Sequence, residues 1–188
     1  GLPADTEIIG TVSSLVDYEG LDDLLRAFAV LAPKHPQLTC LIAGDGVAAP
    51  GLKALAAKLG IDRRVVFPGR VSRQDAHLYH QALDIFVVPR KDLNVTRAVT
   101  PLKPVEAMAC CTPVVASSLP ALRELVNDGG NGTLVPAADH AALAAALSRL
   151  LTDGGQRTRM GVNGRRHVLA TRTWHANAQL CVEKYGSL

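Results

Sequence analysis

No run of apolar residues in this sequence approaches the ~18 needed to cross a bilayer. Aromatic residues are scarce, with three Phe, three Tyr and one Trp in 188 positions. There is neither an aromatic platform interleaved with cations nor a basic helix, and the formal net charge is only +3. Together these absences argue against a nucleic-acid partner. The four cysteines, Cys40, Cys110, Cys111 and Cys181, show no Cys-x-x-Cys spacing. Cys40 and the adjacent pair fall in apolar segments, so buried free thiols in a reducing, cytoplasmic setting are expected. No Asp-x-Asp pair offers itself to a divalent cation, and no metal site is expected. The first residue, Gly1, opens no signal-peptide pattern, and the missing methionine suggests a fragment.

What is present is an Ala-, Leu- and Val-rich composition, 48% hydrophobic, long enough for one domain over residues 1–188 with a full core. Short apolar segments alternate with helical patterns. Glu7 to Val12 reads as a strand broken at Gly10, and Leu38 to Ala43, Val65 to Phe67, Ile85 to Val88, Val114 to Ala116 and Thr133 to Val135 read as five more. Between the first two, Leu21, Leu24, Leu25, Phe28 and Leu31 make one helical stripe. Gly44-Asp45-Gly46 turns the chain into a helix with Leu52, Leu55 and Leu59. Ser72 and Asp75 form a capping-box signature for a helix carrying His77 and His80, read as surface or packing histidines. A helix runs from Ser118-Leu119-Pro120 through Leu125, Asp139 caps an Ala/Leu helix, and two more cover residues 157–170 and 173–185. Trp174 is expected to anchor the last to the body. Strands alternating with helices imply an α/β fold with a doubly wound, parallel six-stranded sheet.

The informative stretch is Val87 to Ser117. A strand ends at Pro89, a basic loop follows, Pro104 suits a first helical position, and another apolar strand comes after the helix. Such a loop lies at the carboxyl ends of the strands, where open α/β sheets bind ligands. Between Arg90 and Lys103 the loop holds Arg90, Lys91, Arg97 and Lys103 against the single acid Asp92. Cations gathered at a helix start suggest a phosphate group. Glu106, in the first turn, either accepts two hydrogen bonds from a vicinal diol such as a ribose or only complements the helix dipole. Gly69-Arg70-Val71, after the third strand, is a natural place for backbone to read a nucleobase edge.

These residues also carry a resemblance. VTPLKPVEAMACCTPVVAS, residues 99–117, resembles the donor-binding signature of family 4 glycosyltransferases: a Glu, then Phe-Gly, then EAMA, a small residue and PVVAS. IIGTVSSLVDYEGLDDLLRAF, LIAGDG, VVFPGRV, DIFVVP, NGTLVPAADHAALAAALSRLL and GRRHV are similar to successive segments of that family's carboxyl-terminal domain. The resemblance implies the Rossmann-like half of a GT-B fold and a retaining, metal-free and cofactor-free transfer of a sugar from a nucleotide-sugar donor to an acceptor alcohol. It also implies a missing amino-terminal acceptor domain. The sequence departs from the pattern in three places. Where the family has phosphate-binding Arg and Lys in its first loop, Ser14 and Glu19 stand here, so Arg90, Lys91 and Lys103 are expected to resupply the charge. Ala98 stands where the family's sugar-contacting Glu would be, so sugar recognition is expected to be altered or assigned to backbone groups around Thr100 to Lys103, Leu102 included. Arg90, Lys103 and the amides of Leu102, Val105 and Glu106 would stabilise the leaving diphosphate.

The expected donor-binding residues are therefore Ser14, Gly69, Arg70, Val71, Arg90, Lys91, Thr100, Leu102, Lys103 and Glu106, with peripheral membrane association of a longer protein in view. Two rivals share the fold class: a nucleotide-sugar epimerase and a non-catalytic nucleotide-binding module. A receiver-type signalling domain is disfavoured because no acid cluster closes the first strand.

Overall fold

The strand segments are mostly apolar on consecutive positions instead of alternating, the pattern of a parallel sheet covered on both faces. The computed structural model describes residues 6–186, and Gly1 lies outside them. It contains β1 (Glu7–Val12), β2 (Leu38–Ala43), β3 (Val65–Gly69), β4 (Ile85–Val88), β5 (Val114–Ser117) and β6 (Gly132–Val135). All pair in parallel in the order β3-β2-β1-β4-β5-β6. Every residue of β2, β4 and β5 is buried. The helices are α1 (Leu21–Leu31), α2 (Ala49–Lys58), α3 (Ala76–Ala82), α4 (Asn94–Ala98), α5 (Lys103–Ala109), α6 (Pro120–Arg123), α7 (His140–Thr152), α8 (Gly154–Thr171) and α9 (Trp174–Gly186). One face packs Ile9, Phe28 and Leu147 around α1 and α7, and the other packs Phe86, Met108 and Leu122 around α5 and α6.

Because the chain winds outward from β1 to β3 and then returns to β4, the strand order reverses between β1 and β4. Asp84 seals that junction: its Oδ2 accepts the Ile8 amide at 2.7 Å, and its own amide donates to the Ile8 carbonyl at 2.8 Å. Gly10 does not break β1. It allows close approach, since a Cβ there would lie 1.9 Å from the Leu41 carbonyl oxygen. Arg64 ties the start of β2 to the approach to β3, its guanidinium donating to the carbonyls of Ala32, His35 and Leu38 and lying 5.5 Å from the Phe28 ring centre.

Several boundaries depart from expectation. The basic loop contains a short helix, α4, because the Thr96 hydroxyl accepts the Leu93 amide and donates to local carbonyls. Helix α5 starts at Lys103, placing Pro104 second. Helix α6 stops at Arg123, short of Leu125. Asp139 does cap α7, accepting the Ala142 amide at 2.8 Å. Trp174 does not anchor α9: it is 90% exposed, and no residue of α9 is buried. Cys40 is buried, and burial pushes its thiol pKa up, whereas Cys110 is half-buried and Cys111 and Cys181 are exposed. The adjacent pair thus straddles the end of α5 instead of sharing a core position.

Helix α8 crosses that end on glycines. A Cβ on Gly161 would sit 1.9 Å from the Cys111 carbonyl oxygen, so Gly161→Ala is expected to destabilise the protein by about 1–3 kcal/mol through overpacking. Urea unfolding of this variant beside Gly154→Ala, which meets only a side-chain end at 3.8 Å, would check it.

Candidate functional site

At the carboxyl ends of β1, β2 and β3 the loops enclose an open cleft of about 880 Å³. Its wall is made by backbone zippered across sequence. The Ser13 amide donates to Ala43, the Leu15 amide to Asp45 and the Ala48 amide back to Leu15, at 3.0, 2.9 and 2.9 Å. The Gly44 amide joins the third loop through Gly69, also at 2.9 Å. Side chains at Gly44 or Gly46 would prevent this, since their Cβ atoms would lie 1.8 Å from the Ser13 oxygen and 2.3 Å from the Leu15 oxygen. The Gly-Asp-Gly stretch therefore shapes the cleft as well as the turn.

The opposite wall comes from α3 and α5. Glu106 projects into it half-buried, and its Oε2 accepts from Lys103 Nζ at 2.9 Å while lying 3.2 Å from His80 Nε2. The His80 hydrogen bond, followed by the bond and charge of Lys103, holds the Glu106 carboxyl below the usual carboxylate range against the opposing effect of burial. Glu106 is thus a carboxylate with one oxygen anchored by two donors. Arg70 and Arg73 line the same cleft and have no ion-pair partner among the described residues. An anchored carboxylate facing cations across a concave space can take a ligand with both hydroxyl and anionic groups.

Of the sequence-derived residues, Ser14, Arg70, Val71, Lys103 and Glu106 line the cleft. The others do not. Gly69 is held at its edge by the bond from Gly44, and the Thr100 hydroxyl donates to Glu124 at 3.2 Å. Leu102 is 70% exposed, away from the lining. The amide of Glu106 is already engaged by the Leu102 carbonyl at 3.1 Å, so it is not one of the free donors expected of the helix start.

Arg90 and Lys91 correct the reading of local charge. Arg90 is buried and makes a two-pronged pair with Glu19, Nη2 to Oε1 at 2.7 Å and Nε to Oε2 at 3.1 Å, while Nη1 donates to Val99 at 3.1 Å. Lys91 Nζ meets Asp17 at 2.7 Å and Asp22 at 3.4 Å; the Asp17 bond in particular raises the ammonium's pKa, and burial opposes it. Arg97 pairs with Asp92. The basic loop is largely neutralised, by Asp17 and Glu19 of the first loop, Asp22 of α1 and its own Asp92, and Arg90 and Lys91 staple the two loops together.

Sequence reasoning missed Arg73, Gly44, Gly46 and His80 as parts of the cleft. His80 is buried against Phe86, with ring centres 5.2 Å apart, as a packing histidine would be, yet it also reaches Glu106. His77 bonds the Gln74 carbonyl locally at 2.8 Å. Among the described residues, no group of three or more His, Cys, Asp or Glu is arranged to hold a metal.

The family model described as glycosyl transferases group 1 matches residues 1–167. A GDP-mannose-dependent alpha-(1-6)-phosphatidylinositol monomannoside mannosyltransferase of Mycolicibacterium smegmatis is 32% identical over 95% of this chain and 47% of its own length. A D-inositol 3-phosphate glycosyltransferase of Corynebacterium jeikeium is 35% identical over 100% and 45%. The chain spans about half the length of the curated relatives it matches. Among solved structures, Anabaena Alr3699/HepE in complex with UDP-glucose superimposes with a TM-score of 0.85 at 25% identity, covering 98% of this chain and 50% of that one. The C-terminal domain of a group 1 glycosyl transferase (LpcC) from Francisella tularensis shares the fold with a TM-score of 0.80 at 24% identity, over 92% and 89%.

The two basic positions are expected to fail in different ways. Arg90→Ala leaves Glu19 buried and unpaired and should cost about 3–5 kcal/mol of stability. Lys103→Ala, at a half-exposed pair, should change stability by less than about 1 kcal/mol. Urea titration of both variants separates the staple from the cleft; equal stabilities would refute the distinction.

Proposed function

The chain belongs to the group 1 glycosyl transferases, and we propose that it forms the nucleotide-sugar-binding half of such an enzyme, moving a sugar from the donor to an acceptor alcohol with retention at the anomeric carbon. The observation that carries the reading is Glu106, a carboxylate anchored on one oxygen at the edge of a cleft whose other charged groups include Arg70, Arg73 and Lys103. A ribose diol donates to Glu106, and the diphosphate lies toward the cations. Breaking the bond between the anomeric carbon and the diphosphate oxygen leaves additional negative charge on the diphosphate. Lys103 and the two arginines neutralise that charge without a metal ion. Crystal structures of the relative HepE with UDP, with UDP and glucose, and with UDP-glucose support a nucleotide-sugar donor here. The acceptor side is assigned to a further domain, since the relatives are about twice as long as this chain.

Free cysteines support a reducing, cytoplasmic location. No described helix is long and apolar enough to cross a membrane. The lipid named as acceptor of the mycobacterial relative supports peripheral association of the longer protein with a membrane surface.

The chain on its own is expected to bind UDP or GDP and to transfer no sugar. Thermal unfolding should rise with nucleotide, by about 2.7 kcal/mol of stabilisation at 100 times the dissociation constant. Binding should persist in EDTA. Loss in EDTA that magnesium or manganese restores would overturn the metal-free clamp, and turnover by the isolated chain would overturn the assignment of the acceptor side elsewhere. Within the cleft, Glu106→Gln should weaken uridine and UDP (or guanosine and GDP) alike by about 1.5–3 kcal/mol, the worth of hydrogen bonds to a charged acceptor. Lys103→Ala should weaken the diphosphate more than the nucleoside and reduce the salt dependence of binding. Calorimetric titration of both variants decides between them.

A further inference from the structure

His80 is 1% exposed and lies beside Glu106 without lying where a ligand's phosphates would reach it. It is held on three sides. Its ring packs on Phe86 with centres 5.2 Å apart, its carbonyl accepts the Thr112 hydroxyl at 2.9 Å, and its Nε2 lies 3.2 Å from Glu106 Oε2. Nδ1 is buried with no hydrogen-bond partner. With the proton on Nε2, the ring donates to the carboxylate and leaves only a lone pair unpartnered. With the proton on Nδ1, it would bury an unpaired N–H and turn a lone pair toward a carboxylate. The geometry therefore favours the Nε2–H tautomer.

Lys103, the other donor to Oε2, is 41% exposed and sits on a flexible stem. It is also the cation that the ligand's phosphates would draw away. A carboxylate held by Lys103 alone would lose its orientation as the diphosphate arrived. We propose that His80 is the positioning residue of this site: its packed Nε2–H keeps Glu106 Oε2 fixed while Lys103 moves to the diphosphate, leaving Oε1 for the nucleoside diol. The inference rests on Glu106 being the nucleoside acceptor.

The charged and titratable groups around Glu106 are His80 on α3, Lys103 and Cys110 on and just after α5, and Asp45, Arg70, Arg73 and His77 elsewhere in the cleft lining. Of these, His80 does most to hold the carboxyl below its ordinary range. Removing it should let Glu106 take up a proton at higher pH. Because the ionised form is the acceptor, nucleoside binding should then fade at a higher pH than in the wild type.

The test titrates uridine and guanosine into the 188-residue chain and its His80→Gln, His80→Phe and Glu106→Gln variants between pH 4 and 8, with thermal unfolding of each. His80→Gln, whose amide N–H can take the place of Nε2–H, should bind close to wild type. His80→Phe should lose about tenfold, the equivalent of one modest charge-assisted hydrogen bond, and its acid limb should move up in pH. Nitrogen NMR of the wild type should show the Nε2–H tautomer. Normal affinity and an unmoved acid limb in His80→Phe, equal failure of folded His80→Gln and His80→Phe, or an Nδ1–H tautomer would each overturn the proposal. Glu106→Gln binding like wild type would bring down the parent reading and this inference with it. Loss in Glu106→Gln alone would overturn the role of His80 and leave Glu106 standing.

Discussion

The whole molecule hangs on how closely β1 approaches its neighbours. It is the central strand, paired with β2 on one side and β4 on the other, and both the reversal of strand order and the cleft occur at its carboxyl end. Gly10 lets the Leu41 carbonyl approach within the space a side chain would fill, and Gly44 and Gly46 do the same for the oxygens of Ser13 and Leu15. These are contacts of backbone with backbone. They fix the relative height of the first two loops without side-chain entropy to pay, and a rigid wall for a ligand follows directly.

Charge is organised on the same plan. The helix-loop stretch after β4 is basic in sequence, yet three of its cations are occupied by acids in the folded chain: Arg90 by Glu19, Lys91 by Asp17 and Asp22, Arg97 by Asp92. A largely buried Arg–carboxylate pair holds position well and is costly to break on one side only. Its function here is mechanical, fastening the first loop to the fourth. The cations facing the cleft are Arg70, Arg73 and Lys103, and Lys103 donates to Glu106 at 2.9 Å. Glu19 in the first loop is thus matched by an arginine that neutralises it, and the positive charge facing the cleft comes from the third loop and from α5.

Much of this protein follows from the sequence by itself. Apolar runs such as Cys40–Ala43 and Ile85–Val88 require a sheet buried on both faces, and their alternation with helices requires parallel crossovers. Asp139 announces the start of α7 through its own cap, and Pro104 places Glu106 in the first turn of a helix that follows the loop after β4. These are local properties, set by periodicity, capping and turn chemistry within a few residues. Tertiary structure alone decided which charges are paired and which histidine meets Glu106, because the partners are remote: Glu19 is 71 residues from Arg90, Asp17 is 74 from Lys91, and Glu106 is 26 from His80. Trp174 shows the same limit from the other side, since an aromatic residue at a helix start says nothing of whether another element lies over it. Coulomb and hydrogen-bond energies depend on distance in space, and a sequence records only distance along the chain.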